Sequence, residues 1–354
     1  MAALPPRVQL MGDQKIKTAV VLGDGGWGTS LAMLLARNGV KTTLWSAFSE
    51  QAEELRTNRE NKRFLPGVKL PDELEFTADE FSAAEGADIA ISVVPTQFLR
   101  SVAERFEDAL AGSVPIITAS KGIEIETFRT PAQILRKVLG DRPIGVLSGP
   151  THAEEVARGL PASVVIASAD PDLAAAAQVA FNSDKFRVYT NADPIGTELG
   201  GALKNVVAIA AGISDGLELG DNAKSALLTR GMAEMARFGV SRGATAETFF
   251  GLAGIGDLVT TCCSEHSRNR RVGYEIGRGK TLEQVLDSME MVAEGVWTTK
   301  ALFGPEADIG GTSLPIAEQV HSVLFDGKDP SEAVTDLMSR EPTSEWGGLL
   351  GGQA

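Results

Sequence analysis

Between residue 17 and about residue 190, short runs of β-branched and apolar residues alternate with stretches of helical period. Segments 29–39 and 128–140, for example, are long enough for helices. Apolar strands that alternate with helices indicate a parallel, doubly wound sheet buried on both faces. The predicted strands are 17–22 (KTAVVL), 41–45 (KTTLW), 88–94 (DIAISVV), 114–119 (VPIITA), 143–148 (PIGVLS), 162–167 (ASVVIA) and 186–190 (FRVYT).

A glycine-rich motif, GDGGWG, follows the first predicted strand and precedes a helical segment. Gly23 suits a tight turn, Gly25 lets the backbone approach a pyrophosphate, and Gly28 lets the helix pack closely on the strand. The start of the helix then offers N–H groups and a positive dipole end to the phosphates. The motif predicts a dinucleotide site, and the competing interpretation is a glycine-rich turn without a ligand. Trp27 fits either packing at the turn or contact with the cofactor.

The pattern changes after Asp193, where strand signals stop and helical segments run to about residue 338. The sequence therefore predicts an α/β Rossmann-like domain with a doubly wound parallel sheet, followed by an all-α substrate domain. The predicted divisions are a flexible arm at 1–16, the dinucleotide domain at 17–192, the helical domain at 193–338 and a flexible tail at 339–354.

Composition excludes several classes of protein. A formal net charge of −14 argues against non-specific binding to nucleic acid or anionic lipid. The apolar runs are too short for membrane insertion, and the first residues lack the features of a signal peptide. Cys262 and Cys263 are adjacent, which suits neither a disulfide framework nor a metal site, so we expect a cytoplasmic protein without a metal.

Polar and basic residues follow three predicted strands at the edge where open α/β sheets bind ligands. Lys121 follows the strand at 114–119, while Pro95 and Phe98 follow the strand at 88–94. The segment SGPTHAEE, which includes Gly149, ends the strand at 143–148. A ligand at this edge would therefore meet an apolar wall and at least one cation.

Two segments of the helical half carry the remaining chemistry. In GGALKNVVAIAAG, Lys204 is either a lysine that reaches the surface along its apolar stem or a general acid whose pKa is lowered by burial. Asp257 could orient that amine, although a carboxylate also raises its pKa. In SRNRR, Arg268 can bind a phosphate, or the segment is a solvated helix start capped by Ser267. Spacing alone leaves both pairs of alternatives open.

These segments together resemble the NAD(P)-dependent glycerol-3-phosphate dehydrogenases, in family order over residues 17 to about 330. The matching stretches are GDGGWGTSLA, VVPTQFLR, SKGIE, SGPTHAEEVARGLPA, GTELGGALKNVVAIAAGISDGLELGDNAKSALLTRGMAEM, GLAGIGDLVTTC, SRNRRVG and VAEGVWTTKAL. The resemblance implies reversible hydride transfer between the nicotinamide and C2 of dihydroxyacetone phosphate, which gives glycerol 3-phosphate. It also implies a homodimer.

The resemblance assigns roles residue by residue. Lys204 matches the general acid and base, Asn205 and Asp257 match residues that position this amine and the substrate hydroxyls, and Lys121 matches a second lysine beside substrate and cofactor. Arg268 and Asn269 match the residues that hold the substrate phosphate. The other positions implied for the substrate are Gly149, Thr151, Thr261 and Ser267. Those implied for the cofactor are Gly23, Gly25, Gly26, Trp27, Gly28, Pro95, Phe98, Lys121, Ala153, Arg268, Val292 and Glu294.

The choice between NAD and NADP rests on the end of the second strand, where an acid accepts from the ribose 2′-hydroxyl and an arginine binds a 2′-phosphate. This sequence has Ser46 and Ala47 there, which match neither pattern. The missing arginine favours NAD, with NADP as the alternative. Two other functions stay open at this point: another Rossmann-type dehydrogenase for a hydroxy acid or sugar, and a non-catalytic dinucleotide-binding redox sensor.

Overall fold

The structure is a computed structural model that describes residues 15–110, 112–289, 291–342 and 344–345. Most of the predicted arm at 1–16 and part of the predicted tail at 339–354 lie outside these residues. The first half forms one sheet of eight strands in the order β3-β2-β1-β4-β5-β6-β7-β8. The strands are β1 Thr18–Leu22, β2 Lys41–Trp45, β3 Glu75–Thr77, β4 Ile89–Ser92, β5 Ile116–Thr118, β6 Ile144–Ser148, β7 Ala162–Ser168 and β8 Phe186–Asn191.

All seven predicted strands are present, but two features of the sheet differ from the prediction. The edge strand β3 was not predicted, because three residues with only Phe76 buried are too short to show a period. The sheet is also not entirely parallel, since β6 and β7 pair antiparallel. Their connection runs from Gly149 to Pro161 and includes a short helix at Ala153–Ala157. Gly149 has a φ of +139°, and a Cβ there would lie 3.0 Å from the Cα of Val164 on β7. This connection brings β7 back beside β6 in the opposite direction.

Helices cover both faces of the sheet, as predicted. Apolar side chains form one core on each face, and on one of them the rings of Trp45 and Phe106 pack edge to face with centroids 5.0 Å apart. The helices of this half are α1 Gly26–Arg37, α2 Ser49–Asn58, α3 Glu80–Ala84, α4 Thr96–Arg105, α5 Pro131–Leu139, α6 Ala153–Ala157 and α7 Pro171–Phe181.

The second half is helical throughout its described residues and has its own apolar core. Its elements are α8 Pro194–Gly216, α9 Gly220–Ser241, α10 Ala246–Phe249, a π-helical turn at Leu252–Gly256, α11 Asp257–Cys263, α12 Arg268–Gly277, α13 Leu282–Asp287, α14 Glu294–Leu302, α15 Pro315–Phe325 and α16 Pro330–Met338. None of the described helices is both long enough and apolar enough to cross a membrane.

Helix α8 is the central element of this half and is buried along most of its length. Asp193 caps its N-terminus by accepting a hydrogen bond from the backbone N–H of Gly196 at 2.8 Å. Glycines then allow neighbouring backbones to approach it, because a Cβ at Gly212 would lie 2.0 Å from the carbonyl oxygen of Arg270. The small residues of GGALKNVVAIAAG therefore allow close packing of neighbouring helices, and Lys204 lies in the middle of this segment.

Candidate active site

The glycine-rich turn has the geometry that its motif predicts. Gly23 has a φ of +108°, and a Cβ at Gly28 would lie 1.9 Å from the carbonyl oxygen of Gly23, so this position requires glycine for helix and strand to meet. A Cβ at Gly25 would have no atom within 4 Å, so the turn is open on the side where a pyrophosphate would approach. A dinucleotide therefore fits this turn.

The start of α1 supports the same interpretation. Its N-cap residue is Gly25, and no side chain caps the helix. Its first N–H groups are thus left for a ligand, and the helix dipole favours an anion there. Beside it, the buried Trp27 Nε1 has no hydrogen-bond partner among the described residues.

The carboxylate of Asp257 joins two lysines from different parts of the chain. Its Oδ1 accepts a hydrogen bond from Lys204 Nζ at 2.9 Å, and its Oδ2 accepts one from Lys121 Nζ at 2.7 Å. Lys204 also donates to Thr261 Oγ1 at 2.7 Å, and Lys121 donates to the carbonyl oxygen of Gly149 at 3.0 Å. Each ammonium has three hydrogens, so one on each remains for a ligand. Two cations and one carboxylate make the cluster net positive within an acidic protein.

Burial sets the protonation of this cluster. It lowers the pKa of Lys204 from 10.5 to about 8, with the carboxylate of Asp257 opposing the change and the ammonium of Lys121 adding to it. Burial also acts to raise the pKa of Asp257, but the two ammonium groups outweigh it and hold that pKa below its usual value. Lys204 is therefore mostly protonated at neutral pH and can still lose its proton, as a general acid and base requires.

Asn205 lies in a chain of hydrogen-bonded amides. Its side-chain N–H groups donate to the carbonyl oxygens of Lys121 and Gly201, each at 3.2 Å, and its Oδ1 accepts from Asn269 Nδ2 at 2.9 Å. Asn269 Oδ1 in turn accepts from the backbone N–H of Gly295 at 2.9 Å. This chain of amides joins the end of β5, α8, α12 and α14, so it holds the segments that carry Lys121 and Lys204 together. It does not include the Lys204 amine.

The other basic segment lies at the start of α12. Ser267 caps this helix by accepting from the backbone N–H of Arg270 at 3.2 Å, as the simpler interpretation of SRNRR predicts. Arg268 is exposed and donates to the carbonyl oxygen of Val292 at 2.8 Å. Arg270 contacts Asp215 instead, at 2.7 Å. Of the arginines at 268 and 270, only Arg268 is thus both exposed and paired with a neutral group, which leaves its charge for an anion.

Several predicted cofactor residues meet at the edge formed by β4 and β5. Glu294 accepts from the backbone N–H of Thr96 at 2.8 Å, just after Pro95, and its Oε2 has no partner among the described residues. Burial raises the pKa of Glu294 to about 7. Phe98 is 56% exposed on α4 and presents its ring to solvent beside this edge. A buried acceptor and an exposed ring suit an amphipathic ligand such as a dinucleotide.

The remaining predicted positions line the first turn of α6. Thr151 Oγ1 donates to the carbonyl oxygen of Gly149 at 3.2 Å. Ser30 Oγ on α1 donates to the carbonyl oxygen of Ala153 at 2.9 Å, and a Cβ at Gly26 would lie 3.4 Å from the Cβ of Ala153. These contacts hold α6 against α1, so Gly26 and Ala153 form one wall beside the glycine-rich turn.

Sequence reasoning missed three polar groups near these residues. Ser148 Oγ is buried without a partner among the described residues and lies against α8 at Gly201. Thr96 was missed because its contribution is a backbone N–H, which no sequence pattern shows. Asp24 was missed because the glycine motif does not specify the residue at this position. Its carboxylate accepts a hydrogen bond from Ser46 Oγ at 2.9 Å.

The described residues show neither an activated cysteine nor a cluster of metal ligands at this site. Burial raises the pKa of the Cys262 thiol to about 12, so it is not an activated nucleophile. No group of three acidic, histidine or cysteine side chains suited to a metal occurs within the described residues, although this leaves the prediction of no metal untested. Cavities of about 980 Å³ and 400 Å³ lie elsewhere in the protein, and neither is lined by Lys121 or Lys204.

Comparison with known proteins identifies the family. Residues 18–174 match the model of the NAD-dependent glycerol-3-phosphate dehydrogenase N-terminus, and residues 193–335 match that of the C-terminus. A glycerol-3-phosphate dehydrogenase [NAD(P)+] of Geobacillus thermodenitrificans is 47% identical over 95% of this chain and 98% of its own length. One from Geobacter sulfurreducens is 49% identical over 92% of this chain and 98% of its own.

A solved structure shows the same fold. The crystal structure of glycerol-3-phosphate dehydrogenase from Coxiella burnetii is 38% identical, covers 92% of this chain and 99% of its own, and superposes with a TM-score of 0.88. Both domains match models of one family, and relatives that are 47% and 49% identical cover almost the whole chain. The fold is shared over the same length. This chain belongs to the NAD(P)-dependent glycerol-3-phosphate dehydrogenase family.

Proposed function

We propose that this protein transfers hydride reversibly between NAD(P)H and dihydroxyacetone phosphate to give sn-glycerol 3-phosphate, with Lys204 as the general acid and base. The observation that carries this proposal is the buried ammonium of Lys204, bound to Asp257 at 2.9 Å and with its pKa lowered to about 8. The curated relatives bear the name of this activity. Such an enzyme supplies glycerol phosphate for phospholipid and carbohydrate metabolism.

When bound, the reduced nicotinamide supplies the hydride that adds to C2. The C=O bond of the ketone then becomes a C–O bond, and its oxygen needs one proton. Lys204 donates that proton from Nζ and becomes neutral, and in the reverse direction it takes the proton back. Before hydride arrives, the remaining N–H of Lys204 polarises the carbonyl, and the second ammonium, Lys121, stabilises the negative charge that develops.

The phosphate of the substrate binds at the start of α12 in this proposal. Arg268 supplies a guanidinium, and the amide of Asn269 lies next to it on the chain. Asn269 is hydrogen-bonded to Asn205, the neighbour of Lys204. A phosphate held at α12 therefore orients the rest of the molecule toward the amine, and binding energy far from C2 contributes to turnover.

Replacement of the lysine tests this assignment. We expect Lys204→Ala to lower kcat for dihydroxyacetone phosphate reduction by about 100- to 10,000-fold, the range of general acid catalysis. Binding of NADH should stay within about threefold, because the glycine-rich turn is untouched. The matched control is Lys300→Ala, an exposed lysine on α14 that should leave both quantities unchanged. Near-normal turnover in Lys204→Ala would show that another group moves the proton.

A substrate comparison tests the phosphate site separately. The wild-type protein should use dihydroxyacetone phosphate far better than dihydroxyacetone, and Arg268→Ala should raise KM for the phosphorylated substrate at least tenfold. The neighbouring Arg271→Ala is the control, because Arg271 is also exposed in the first turn of α12. Equal rates with both substrates would favour a dehydrogenase for an unphosphorylated hydroxy acid or sugar. Binding of NADH without turnover of any of them would favour a redox sensor.

The compartment and the oligomeric state remain predictions. We expect a cytoplasmic homodimer, as the scarcity of cysteine and the family resemblance suggest. Light scattering of the purified protein measures the oligomeric state directly.

A further inference from the structure

The acid that selects between NAD and NADP was missing from its usual place in the sequence. In Rossmann-type domains it follows the second strand, where its carboxylate accepts from the 2′-hydroxyl of the adenosine ribose. Here β2 ends at Trp45, and the next residue is the fully buried Ser46. Ser46 is too short and too deeply placed to take this role itself.

The structure brings an acid to that place from another segment. Asp24, the second residue of GDGGWG, accepts a hydrogen bond from Ser46 Oγ at 2.9 Å. Ser46 Oγ also accepts from the backbone N–H of Phe48 at 3.2 Å, so its own proton points to the carboxylate. The carboxylate of Asp24 thus lies at the end of β2, although its backbone belongs to the turn after β1.

Backbone contacts hold Asp24 in this position. The N–H of Gly23 donates to the carbonyl oxygen of Trp45 at 3.0 Å, which ties the turn to the end of β2. The carbonyl oxygen of Asp24 accepts from Asn61 Nδ2 at 2.8 Å and from Thr29 Oγ1 at 3.1 Å. Three neighbouring segments therefore fix the residue before any ligand binds.

One oxygen of the carboxylate remains available. Oδ2 accepts from Ser46, and apart from the residue's own backbone N–H the described residues place no other donor on this half-buried carboxylate. Next to it, the backbone at Gly25 is open. A ribose hydroxyl that approaches along this turn can donate to Oδ1, but a 2′-phosphate would place two negative charges together. The ionised carboxylate of Asp24 strengthens the hydrogen bond from a ribose hydroxyl and repels a 2′-phosphate.

Among the described residues, Arg63 is a cation whose charge acts on the carboxylate of Asp24. Burial raises the pKa of Asp24, and the hydroxyl of Ser46 and the charge of Arg63 oppose that rise. The guanidinium of Arg63 lies 5.1 Å from the ring centroid of its neighbour Phe64. Asp24 contacts the end of β2 directly through Ser46, so the structure places a carboxylate at that point.

We propose that Asp24, held by Ser46 at the end of β2, binds the adenosine ribose and makes this protein prefer NAD over NADP. This rests on the proposed function, because it requires a dinucleotide at the glycine-rich turn. Asp24 acts as a specificity residue and takes no part in hydride or proton transfer.

The test is binding of NADH and NADPH to the intact protein at pH 8, followed by the fluorescence of the bound reduced nicotinamide. Wild type should bind NADH at least tenfold more tightly than NADPH. Asp24→Asn should reduce this ratio by about 10- to 100-fold, the effect of one hydrogen bond to a charged group. Asp24→Ser serves as a second variant in case the first is destabilised, and Arg63→Ala should change the ratio less than about threefold.

The outcomes separate the two proposals. If wild type binds neither dinucleotide, the proposed function fails, and this inference fails with it. If both bind and the ratio is unchanged in both Asp24 variants, only the assignment of Asp24 is wrong. A selective loss of NADPH binding in Arg63→Ala, together with tighter NADPH than NADH binding in wild type, would also overturn it, because the cation would then determine the preference.

Discussion

The Lys204 ammonium lies 2.9 Å from the Asp257 carboxylate, and these side chains are only 8% and 2% exposed. A buried pair of this kind contributes little net stability, because both charges lose their hydration. Its effect on titration is larger, since the carboxylate holds up an amine pKa that burial lowers. The pair therefore sets how much of Lys204 is protonated at neutral pH, and this leads to the first prediction.

Asp257→Asn should move the alkaline limit of the reductive reaction to lower pH. In the proposed mechanism reduction needs protonated Lys204, so wild-type kcat should fall as pH rises through about 8. Without the carboxylate, the burial and the charge of Lys121 lower the pKa of Lys204 further, and kcat should fall at a pH at least one unit lower. The pH profile of kcat measures this. Asp221→Asn, at an exposed aspartate of α9, should keep the wild-type profile; an unchanged limit in Asp257→Asn would contradict the proposed pairing.

Two glycines of the same turn should respond differently to alanine. At Gly28 a Cβ would lie 1.9 Å from a backbone oxygen, so Gly28→Ala should lower the free energy of unfolding by about 1–3 kcal/mol through overpacking. At Gly25 no atom lies within 4 Å, so Gly25→Ala should fold normally and bind NADH at least tenfold more weakly. Thermal unfolding and NADH titration of both variants test this. Normal binding by Gly25→Ala would mean that the pyrophosphate does not approach there.

The crossing of α8 and α12 should be equally sensitive to replacement of glycine by alanine. A Cβ at Gly273 would lie 1.9 Å from the carbonyl oxygen of Ile209, so Gly273→Ala must separate the two helices. We expect unfolding to become easier by about 1–3 kcal/mol. KM for dihydroxyacetone phosphate should also rise, because α12 would no longer hold Asn269 against Asn205. Gly112→Ala, where a Cβ meets nothing within 4 Å, is the control for urea denaturation and kinetics. A Gly273 variant with normal stability would show that the helices can adjust.

Glu198 should make stability depend on pH. Its carboxylate on α8 accepts from Thr130 Oγ1 and the backbone N–H of Ala132, both at 2.8 Å, and burial raises its pKa from 4.5 to about 7. Between these values the folded protein keeps a proton that the unfolded chain has released. The free energy of unfolding should therefore fall as pH rises from about 4.5 to 7, with a contribution of up to about 3 kcal/mol from this group.

Glu198→Gln removes that contribution and should flatten the pH dependence of urea denaturation in this range. Burial raises the pKa values of Glu234 and Glu294 to about 7 as well, so a smaller slope should remain. Glu85→Gln, at an exposed glutamate beyond α3, should leave the slope as in wild type. The same slope in Glu198→Gln and wild type would argue that Glu198 is ionised in the folded protein throughout.

Much of the fold could be predicted from the sequence, because the spacing at which apolar residues recur shows which face of a helix or strand is buried. The seven predicted strands, the helices between them and the change after Asp193 all appear in the structure. The same period does not report direction, since a buried strand has the same pattern in a parallel or an antiparallel pair. The reversal at Gly149 and the antiparallel pairing of β6 with β7 therefore had to come from the structure.

For the site, the sequence by itself predicted which residues carry chemistry and determined which family they resemble. Lys204, Asp257, Lys121 and the glycines of the turn were all named from motifs. Only the tertiary structure decided which of them touch: Lys121 and Asp257 are 136 positions apart, and Asn205 contacts Asn269 instead of the amine beside it. It also placed Asp24 at the end of β2. Such contacts depend on how distant segments pack, because a side chain's hydrogen-bond partner is set by position in space, which local spacing along the chain does not encode.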